Sequence, residues 1–149
     1  NNLYEQSSMI KLFRMKILIM GLPNSGKTTL ANKLALKLDA VWFNADIIRE
    51  QCKFHTFSTE SREIQAKRMR MYAEFEIALG KTVICDFICP TLKTRELFDA
   101  DFIIWMNTIS KGEYEDTNLL FQKPENYDLK IDDFDYDLNE ISKLIQNHK

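Results

Sequence analysis

Short runs of hydrophobic residues alternate along the chain with longer segments in which hydrophobic positions recur every three to four residues. The first pattern is typical of strands buried on both faces of a sheet, and the second of helices packed on one face. The runs predict strands at Lys16–Met20, Val41–Asn44, 83–88 and Phe102–Met106, and a short edge strand at Leu129–Ile131. The periodic segments predict helices at 30–38, 47–52, 59–79, 90–98 and 137–146.

This alternation of strands and helices determines the expected fold class. Strands joined by helical crossovers run parallel, and right-handed crossovers place helices on both faces of the sheet. We therefore expect an α/β fold, a three-layer sandwich around a mostly parallel, doubly wound sheet of about five strands. Ligands of such sheets bind beyond the carboxyl ends of the strands, so functional residues are expected in the segments that follow them.

The longest predicted helix spans residues 59–79. Its hydrophobic residues predict one apolar face, formed by Ile64, Met71, Tyr72, Phe75, Ala78 and Leu79. Arg62 and Gln65 share another side of the helix, where they can clasp an anionic or polar substrate group. Lys67 and Arg70 are interpreted as a solvated basic face. Phe57, in the loop before the helix, can stack on a base or fill the core.

A glycine-rich segment connects the first strand to the first helix. Residues 21–28 read GLPNSGKT and satisfy G-x-x-x-x-G-K-S/T, a pattern that cradles phosphates when it leaves a strand and opens a helix. Its backbone N–H groups and the helix N-terminus attract the anion. The predicted nucleotide-binding residues are Gly21, Leu22, Pro23, Asn24, Ser25, Gly26, Lys27, Thr28 and Thr29. We expect Lys27 to contact the β- and γ-phosphates of ATP and Thr28 to bind Mg²⁺.

Two carboxylates follow predicted strands. Phosphoryl transfer needs a carboxylate that holds the metal or its water shell, or that accepts a proton from the acceptor hydroxyl. Asp86 ends a hydrophobic run and is predicted to bind the metal with Thr28. Asp46 lies two residues past its strand, where it can face the acceptor or instead cap the next helix. Lys27, Asp46 and Asp86 are the predicted catalytic residues.

Composition narrows the class of partner. Twenty Lys and Arg against 22 Asp and Glu give a net charge of −2, which argues against bulk attraction to nucleic acid or an anionic membrane. No hydrophobic stretch approaches the roughly 20 residues that span a bilayer. Cys52, Cys85 and Cys89, with two histidines, make a poor zinc site and are interpreted as reduced side chains of a cytoplasmic protein.

The ends of the chain bear on its domain organisation. Residues 1–8, NNLYEQSS, resemble a protease-cleavable tag, so the natural start is expected at Met9 or Met15. No internal repeat or linker follows. We expect one domain over residues 9–149.

Several motifs resemble those of the adenylylsulfate kinase family. GLPNSGKTTLA is similar to the family's phosphate loop, GLPGSGKTTLA, with Asn24 in place of a glycine. NADIIR is similar to D-G-D-x-x-R and shares Asp46 and Arg49 with it. The segment from Phe57 to Arg62 is similar to F-S-x-x-D-R, whose Phe stacks on the substrate adenine and whose Arg binds the substrate. The resemblance therefore implies an adenine nucleotide as acceptor.

The resemblance continues toward the C-terminus. FICP at 87–90 is similar to F-I-S-P, a loop along the substrate nucleotide, and Arg95 matches the arginine that follows it. Lys111 begins KGEY, similar to K-G-L-Y of the family's mobile lid, here at about 108–123. The implied substrate-binding residues are Asp46, Arg49, Phe57, Arg62, Gln65, Phe87, Ile88, Cys89, Pro90 and Lys111. The implied reaction is ATP- and Mg²⁺-dependent phosphorylation of the 3′-hydroxyl of adenylylsulfate, and a homodimer is implied as well.

The sequence also departs from the family pattern. It lacks the R-D pair before K-G-L-Y and the F-T-G-I-D stretch, whose Phe forms the other side of the adenine clamp. Asp86 stands where typical members carry Ala or Ser. These departures leave two alternatives open: a P-loop kinase for another small hydroxyl compound, such as a nucleoside, nucleotide or sugar, and a nucleotide-binding switch without transferase activity.

Overall fold

Five parallel strands form one sheet in the computed structural model, which describes residues 14–148. The strands are β1 (Lys16–Met20), β2 (Val41–Asn44), β3 (Val83–Asp86), β4 (Phe102–Met106) and β5 (Leu129–Ile131), in the order β2-β3-β1-β4-β5. The helices are α1 (Lys27–Leu38), α2 (Ala45–Gln51), α3 (Thr59–Ala78), α4 (Leu92–Phe98), α5 (Glu115–Leu120) and α6 (Leu138–Gln146). The predicted α/β class, with a doubly wound sheet of five strands, is confirmed.

Alternate residues of the central strands face two separate cores. On β1, Ile17 and Ile19 contact the cluster that includes α1 and α6, whereas Leu18 and Met20 contact the cluster that includes α2, α3 and α4. All four side chains are fully buried. A strand covered on both faces has no polar positions to alternate with its hydrophobic ones, which explains the continuous hydrophobic runs in the sequence.

The predicted boundaries are close to those observed. Strand β3 ends at Asp86, two residues before its predicted end, because the chain leaves the sheet there. Helix α1 begins at Lys27 rather than residue 30, directly from the glycine-rich loop. Helix α4 begins at Leu92, with Thr91 accepting a hydrogen bond from the backbone N–H of Thr94 in a capping box. Helix α5 is an element that the hydrophobic pattern did not predict.

The predicted apolar face of α3 is wrong except at Tyr72, which is half-buried and packs against the core. Ile64, Met71, Phe75 and Leu79 are 41–67% exposed, and Ala78 is exposed as well. The buried residues of this helix are instead Ser61, Arg62, Gln65, Ala66, Met69 and Ala73. Small side chains let α3 approach the sheet closely, and the buried polar groups are hydrogen-bonded, so the large hydrophobic residues do not mark the packed face.

The exposed side of α3 lies beside the edge strand β2. Met71 and Phe75 line an open groove of about 680 Å³ together with Trp42, Phe43 and Ile47. Within residues 14–148, no helix is both long and apolar enough to cross a membrane. The predictions for residues 1–8 and Met9 lie outside the described residues.

Candidate functional site

The loop between β1 and α1 is shaped by the end of β4. A Cβ atom on Gly21 would lie 2.6 Å from the backbone oxygen of Met106, closer than packing allows, and Gly21 has φ +154°. Asn24 has φ +68° and Gly26 has φ +94°. Asn is among the side chains that tolerate the left-handed region, which explains how Asn24 stands where the resembling family has a glycine. The loop therefore keeps its curvature without that glycine.

Ser25, in this loop, is held through its backbone rather than through its side chain. The hydroxyl of Thr108, just past β4, donates to the backbone oxygen of Ser25 at 2.7 Å. The Ser25 hydroxyl itself is fully buried and has no hydrogen-bond partner among residues 14–148. A buried hydroxyl without a partner is costly in a closed core, so its presence in the loop is consistent with a polar ligand there.

Lys27 begins α1 and is 9% exposed. Its ammonium donates to the backbone oxygen of Leu22 at 2.8 Å, so the side chain folds back over the loop. Burial lowers the pKa of Lys27 from 10.5 to about 8, against the negative charges of Asp86 and Asp46, which raise it. A bound polyphosphate would stabilise this ammonium, because the negative charge of the phosphates compensates for the hydration that the ammonium loses on burial.

Asp86 is 2% exposed and lies at the carboxyl end of β3. Its Oδ2 accepts a hydrogen bond from the indole Nε1 of Trp42 at 2.6 Å, and its Oδ1 accepts one from Nδ2 of Asn44 at 2.9 Å. The hydroxyl of Thr28 lies 3.4 Å from the same Oδ1. Burial raises the pKa of Asp86, while the Trp42 hydrogen bond and the Lys27 charge lower it. Asp86 and Thr28 are thus brought together as predicted.

Asp46 lies in the first turn of α2 and is exposed. The cap of this helix is Asn44, whose side-chain oxygen accepts the backbone N–H of Ile47 at 3.0 Å, so Asp46 is not the cap. The negative charge of Asp46 acts on the pKa of Lys27 and Asp86, and also on that of Arg49. On α2, Asp46 follows Asn44, the hydrogen-bond partner of Asp86, and precedes Arg49, a member of the arginine cluster described next.

Arg49, Phe57 and Arg62 form one cluster. The guanidinium carbons of Arg49 and Arg62 lie 4.4 Å and 5.7 Å from the centroid of the Phe57 ring, which is 55% exposed. Arg49 donates to the backbone oxygen of Thr56, and Arg62 to that of Phe57. Burial lowers the pKa of both guanidinium groups, and for Arg49 the charge of Arg62 lowers it further. Two desolvated cations beside an exposed ring form a site suited to an anionic aromatic ligand.

Gln65 has a different role from the one predicted. It is 2% exposed, and its amide nitrogen donates to the backbone oxygen of Ala45 at 3.1 Å. The remaining amide oxygen accepts a weak hydrogen bond from Arg68 at 3.4 Å. Gln65 therefore ties α3 to the start of α2, the helix that carries Asp46 and Arg49, rather than facing an open site.

The loop at 87–90 is mostly buried. Phe87 packs edge-on against Phe98 at 5.4 Å between ring centroids, and Cys89 is 1% exposed with φ +48°. Burial raises the pKa of the Cys89 thiol to about 12. Arg95 donates to the backbone oxygens of Cys89 and Pro90 and so fixes the loop. Ile88 is half-buried and is the member of this loop most open to a ligand.

The predicted lid contains α5 and is joined to both halves of the site. The hydroxyl of Thr117 accepts a hydrogen bond from Arg62 at 3.1 Å. A Cβ atom on Gly112 would lie 3.4 Å from Cδ of Pro23, so the lid passes close to the phosphate loop. Lys111, in contrast, is directed outward: its side chain is 71% exposed and lies 3.7 Å from Glu115. The structure therefore does not bring Lys111 to the other predicted substrate residues.

The donor set around Asp86 fits Mg²⁺. A carboxylate oxygen and a hydroxyl oxygen lie 3.4 Å apart at the end of the sheet, and hard oxygen donors are what this ion prefers. No group of three His, Cys, Asp or Glu side chains that could hold a metal ion occurs within residues 14–148. Asp86 and Thr28 are the side chains that would hold Mg²⁺ beside a bound polyphosphate, as in other phosphate-loop sites.

Sequence reasoning missed Trp42 and Asn44 as partners of Asp86. Asn44 and Asp86 are neighbours in the register of β2 and β3, and Trp42, two residues earlier, is on the same face of the sheet. The alternation of faces along a strand is readable from sequence, but the pairing of β2 with β3 is not. Thr108 and Thr117 were missed because single threonines in a loop carry no pattern.

Comparisons with known proteins give one family match and several structural likenesses. A family model described as adenylylsulphate kinase matches residues 14–104, more than half of the chain. Comparison with curated protein sequences gives no match. The APS kinase CysC of Mycobacterium tuberculosis, in complex with AMPPNP and APS, has a TM-score of 0.71 at 20% identity, over 87% of this chain and 94% of that one.

Two other solved structures share the fold. A sugar kinase from Janibacter sp. HTCC2649 has a TM-score of 0.64 at 15% identity, over 87% of this chain and 91% of that one. A hexameric APS kinase from Thiobacillus denitrificans has a TM-score of 0.62 at 23% identity, over 87% of this chain and 27% of that one. At these sequence identities, the similarities show that the folds are shared, but they do not identify the substrate of this protein.

The parallel sheet and the glycine-rich loop after β1 define a phosphate-loop nucleotide-binding protein, and the match to a kinase family makes it a P-loop kinase, a phosphotransferase with a hydroxyl group as acceptor. The family match makes the class more specific. The chain belongs to the adenylylsulphate kinase family.

Proposed function

We propose that this protein transfers the γ-phosphoryl group of ATP to the 3′-hydroxyl of adenylylsulfate in a Mg²⁺-dependent reaction. The observation that carries the proposal is the position of Asp46 on α2, which lies two residues after Asn44, the hydrogen-bond partner of Asp86, and three residues before Arg49. Its charge acts on Lys27 and Asp86 at the phosphate loop and on Arg49 in the arginine cluster. A donor phosphate held by the phosphate loop and an acceptor hydroxyl held by the arginine cluster would meet at Asp46, as an in-line transfer requires.

On the donor side, the loop and Lys27 hold and neutralise the polyphosphate. Lys27 turns from the backbone oxygen of Leu22 to the β- and γ-phosphates. Their negative charge favours the protonated form of Lys27, which burial disfavours. Thr28 and Asp86 would hold Mg²⁺, which would supply positive charge to the phosphate oxygens. Backbone N–H groups of residues 21–26 orient the phosphates, since their positions are fixed before the ligand arrives.

On the acceptor side, each residue of the cluster matches a part of adenylylsulfate. The exposed face of Phe57 offers a surface on which the adenine stacks, and Arg49 and Arg62 balance the charge of the phosphosulfate group. Asp46 orients the 3′-hydroxyl or accepts its proton. Because Arg62 also binds Thr117 of the lid, a ligand at Arg62 acts on the segment that covers the site and excludes water.

The experiment measures ADP release with adenylylsulfate as acceptor, comparing wild type with Lys27→Ala and with Lys37→Ala as the matched control. Lys37 is an exposed lysine at the far end of the same helix. Loss of a charge-stabilising contact in phosphoryl transfer costs at least about a hundredfold in kcat, so Lys27→Ala should be nearly inactive and Lys37→Ala unchanged. Acceptor-dependent turnover by Lys27→Ala within a few-fold of wild type would contradict the donor assignment.

The second candidate is a kinase for another small hydroxyl compound. It is favoured by two observations. Lys111 of the short lid lies outside the site, and Asp86 adds a buried negative charge to the site at the end of β3. The same assay with AMP, nucleosides and simple sugars separates the candidates, because the preferred acceptor has the highest kcat/KM. ATP binding without stimulation by any acceptor would identify the third alternative, a nucleotide-binding switch.

A further inference from the structure

The two oxygens of Asp86 have different surroundings. Oδ2 is closed off by the indole N–H of Trp42 at 2.6 Å, while Oδ1 faces Asn44 at 2.9 Å and the Thr28 hydroxyl at 3.4 Å. A carboxylate free to rotate about its Cβ–Cγ bond would exchange these oxygens. The two strong hydrogen bonds, one to each oxygen, prevent that rotation. Asp86 therefore presents one defined oxygen toward Thr28.

The choice of tryptophan as donor gives this contact its direction. An indole N–H donates and cannot accept, so it pairs with an anion or another acceptor and with nothing else. Trp42 is half-buried on β2 and packs against the core cluster on the α1 side of the sheet. Because the ring is held by that packing, its N–H cannot follow the carboxylate if the carboxylate moves. The direction of the hydrogen bond is set by the sheet.

We propose that Trp42 is a positioning residue for the metal site: its indole holds Oδ2 of Asp86, so that Oδ1 is the oxygen offered to Mg²⁺ beside Thr28. The inference rests on the proposed function, because it assumes that Asp86 and Thr28 hold the metal. A tryptophan that merely satisfied a buried acceptor would stabilise the fold and leave metal binding unchanged. The two roles differ in what they predict for metal-dependent nucleotide affinity.

The test measures the affinity for AMPPNP by titration calorimetry, once with EDTA and once with saturating Mg²⁺. The ratio of the two dissociation constants is the metal coupling factor. In Trp42→Phe we expect this factor to fall about tenfold, the effect of losing one charge-assisted hydrogen bond, with the EDTA affinity within about twofold of wild type. Trp105→Phe is the control, because Trp105 lies on β4 and contacts Tyr127 and Lys130 rather than Asp86.

A second measurement uses the native Trp42 and does not depend on how its variant folds. The chain has two tryptophans, so Trp105→Phe leaves Trp42 as the sole indole fluorophore. Adding Mg²⁺ to the AMPPNP complex of this variant should shift the Trp42 emission, and the further change Asp86→Asn should abolish the shift.

The outcomes separate the inference from the proposed function. Metal coupling in wild type that Trp42→Phe leaves unchanged would overturn the role of Trp42 and leave the kinase proposal standing. An unchanged Trp42 emission on Mg²⁺ binding would do the same. No metal coupling in wild type would contradict the proposed function itself, and the role of Trp42 would fall with it.

Discussion

Exchanging Asn44 and Asp86 should move the buried carboxylate from β3 to β2 while keeping the hydrogen bond between them. The single change Asn44→Asp places two carboxylates about 2.9 Å apart. Their repulsion is about 6 kcal/mol at an effective dielectric constant of about 20, if both remain ionised. Protonating one carboxylate of ordinary pKa at pH 7 costs about 4 kcal/mol, and this lower figure limits the loss. We expect Asn44→Asp to lose about 3–4 kcal/mol of stability at pH 7.

The double variant Asn44→Asp with Asp86→Asn should recover most of that loss. Asp caps a helix as well as Asn does, so the bond to the Ile47 N–H is kept. The amide introduced at 86 can donate to the carboxylate introduced at 44, and its oxygen can accept from Trp42. We expect the double variant within about 1 kcal/mol of wild type and an interaction energy of at least about 2 kcal/mol between the two changes.

The assay is urea unfolding at pH 7.5 and pH 5.0. In Asn44→Asp the shared site has a folded-state pKa above its unfolded value, so the folded protein binds the extra proton. Its deficit relative to wild type should therefore shrink as the pH falls from 7.5 to 5.0. Asn107 and Asp132 form the control, since they make the same hydrogen bond at 2.8 Å in an exposed setting. Asn107→Asp should cost less than about 1 kcal/mol.

An interaction energy below about 0.5 kcal/mol would refute this reasoning. So would a deficit in Asn44→Asp that does not change with pH.

Three other outcomes follow from the structure. Because the pKa of Lys27 is lowered to about 8 and a bound polyphosphate favours the charged form, metal-free ATP binding at pH 8 should take up about half a proton more in wild type than in Lys27→Met; calorimetry in two buffers checks this, and equal uptake would contradict it. Cys52 should react with iodoacetamide in the folded protein while Cys85 and Cys89, both buried with raised thiol pKa values, should not; mass spectrometry counts the labels, and three labels under native conditions would be the wrong result. Gly21→Ala should lower stability by more than about 2 kcal/mol, because its Cβ meets the backbone oxygen at the end of β4; an unchanged Tm would show that the loop relaxes freely.

The sequence was sufficient for the sheet because the strands are covered on both faces. Strands β1, β2, β4 and β5 have the predicted boundaries. The clearest are β1 and β4, which are almost continuous hydrophobic runs. The phosphate loop was equally readable, because its function depends on residue types at fixed spacing. These features are local, and local patterns are what a single sequence records.

Helix α3 shows where that information ends. Its packed face consists of alanines, one methionine and polar residues whose partners lie outside the helix, such as the backbone oxygen of Ala45 for Gln65 and the Thr117 hydroxyl for Arg62. Hydrophobic periodicity gives weight to large side chains, so it selected Met71 and Phe75, which are exposed. The hydrogen-bond partners of Asp86 could not be predicted either, because they depend on the pairing of β2 with β3, which a single sequence does not show.

The glycine-rich loop owes its shape to chain that lies more than eighty residues away. The end of β4 leaves no room for a side chain at Gly21, and Gly112 lies close to Pro23. Thr108 donates a hydrogen bond to the backbone oxygen of Ser25. Grafting GLPNSGKT alone onto a foreign strand–helix junction would therefore transfer the sequence of the loop without the contacts that determine its conformation. A working transplant would have to bring residues 106–112 along as the counter-surface.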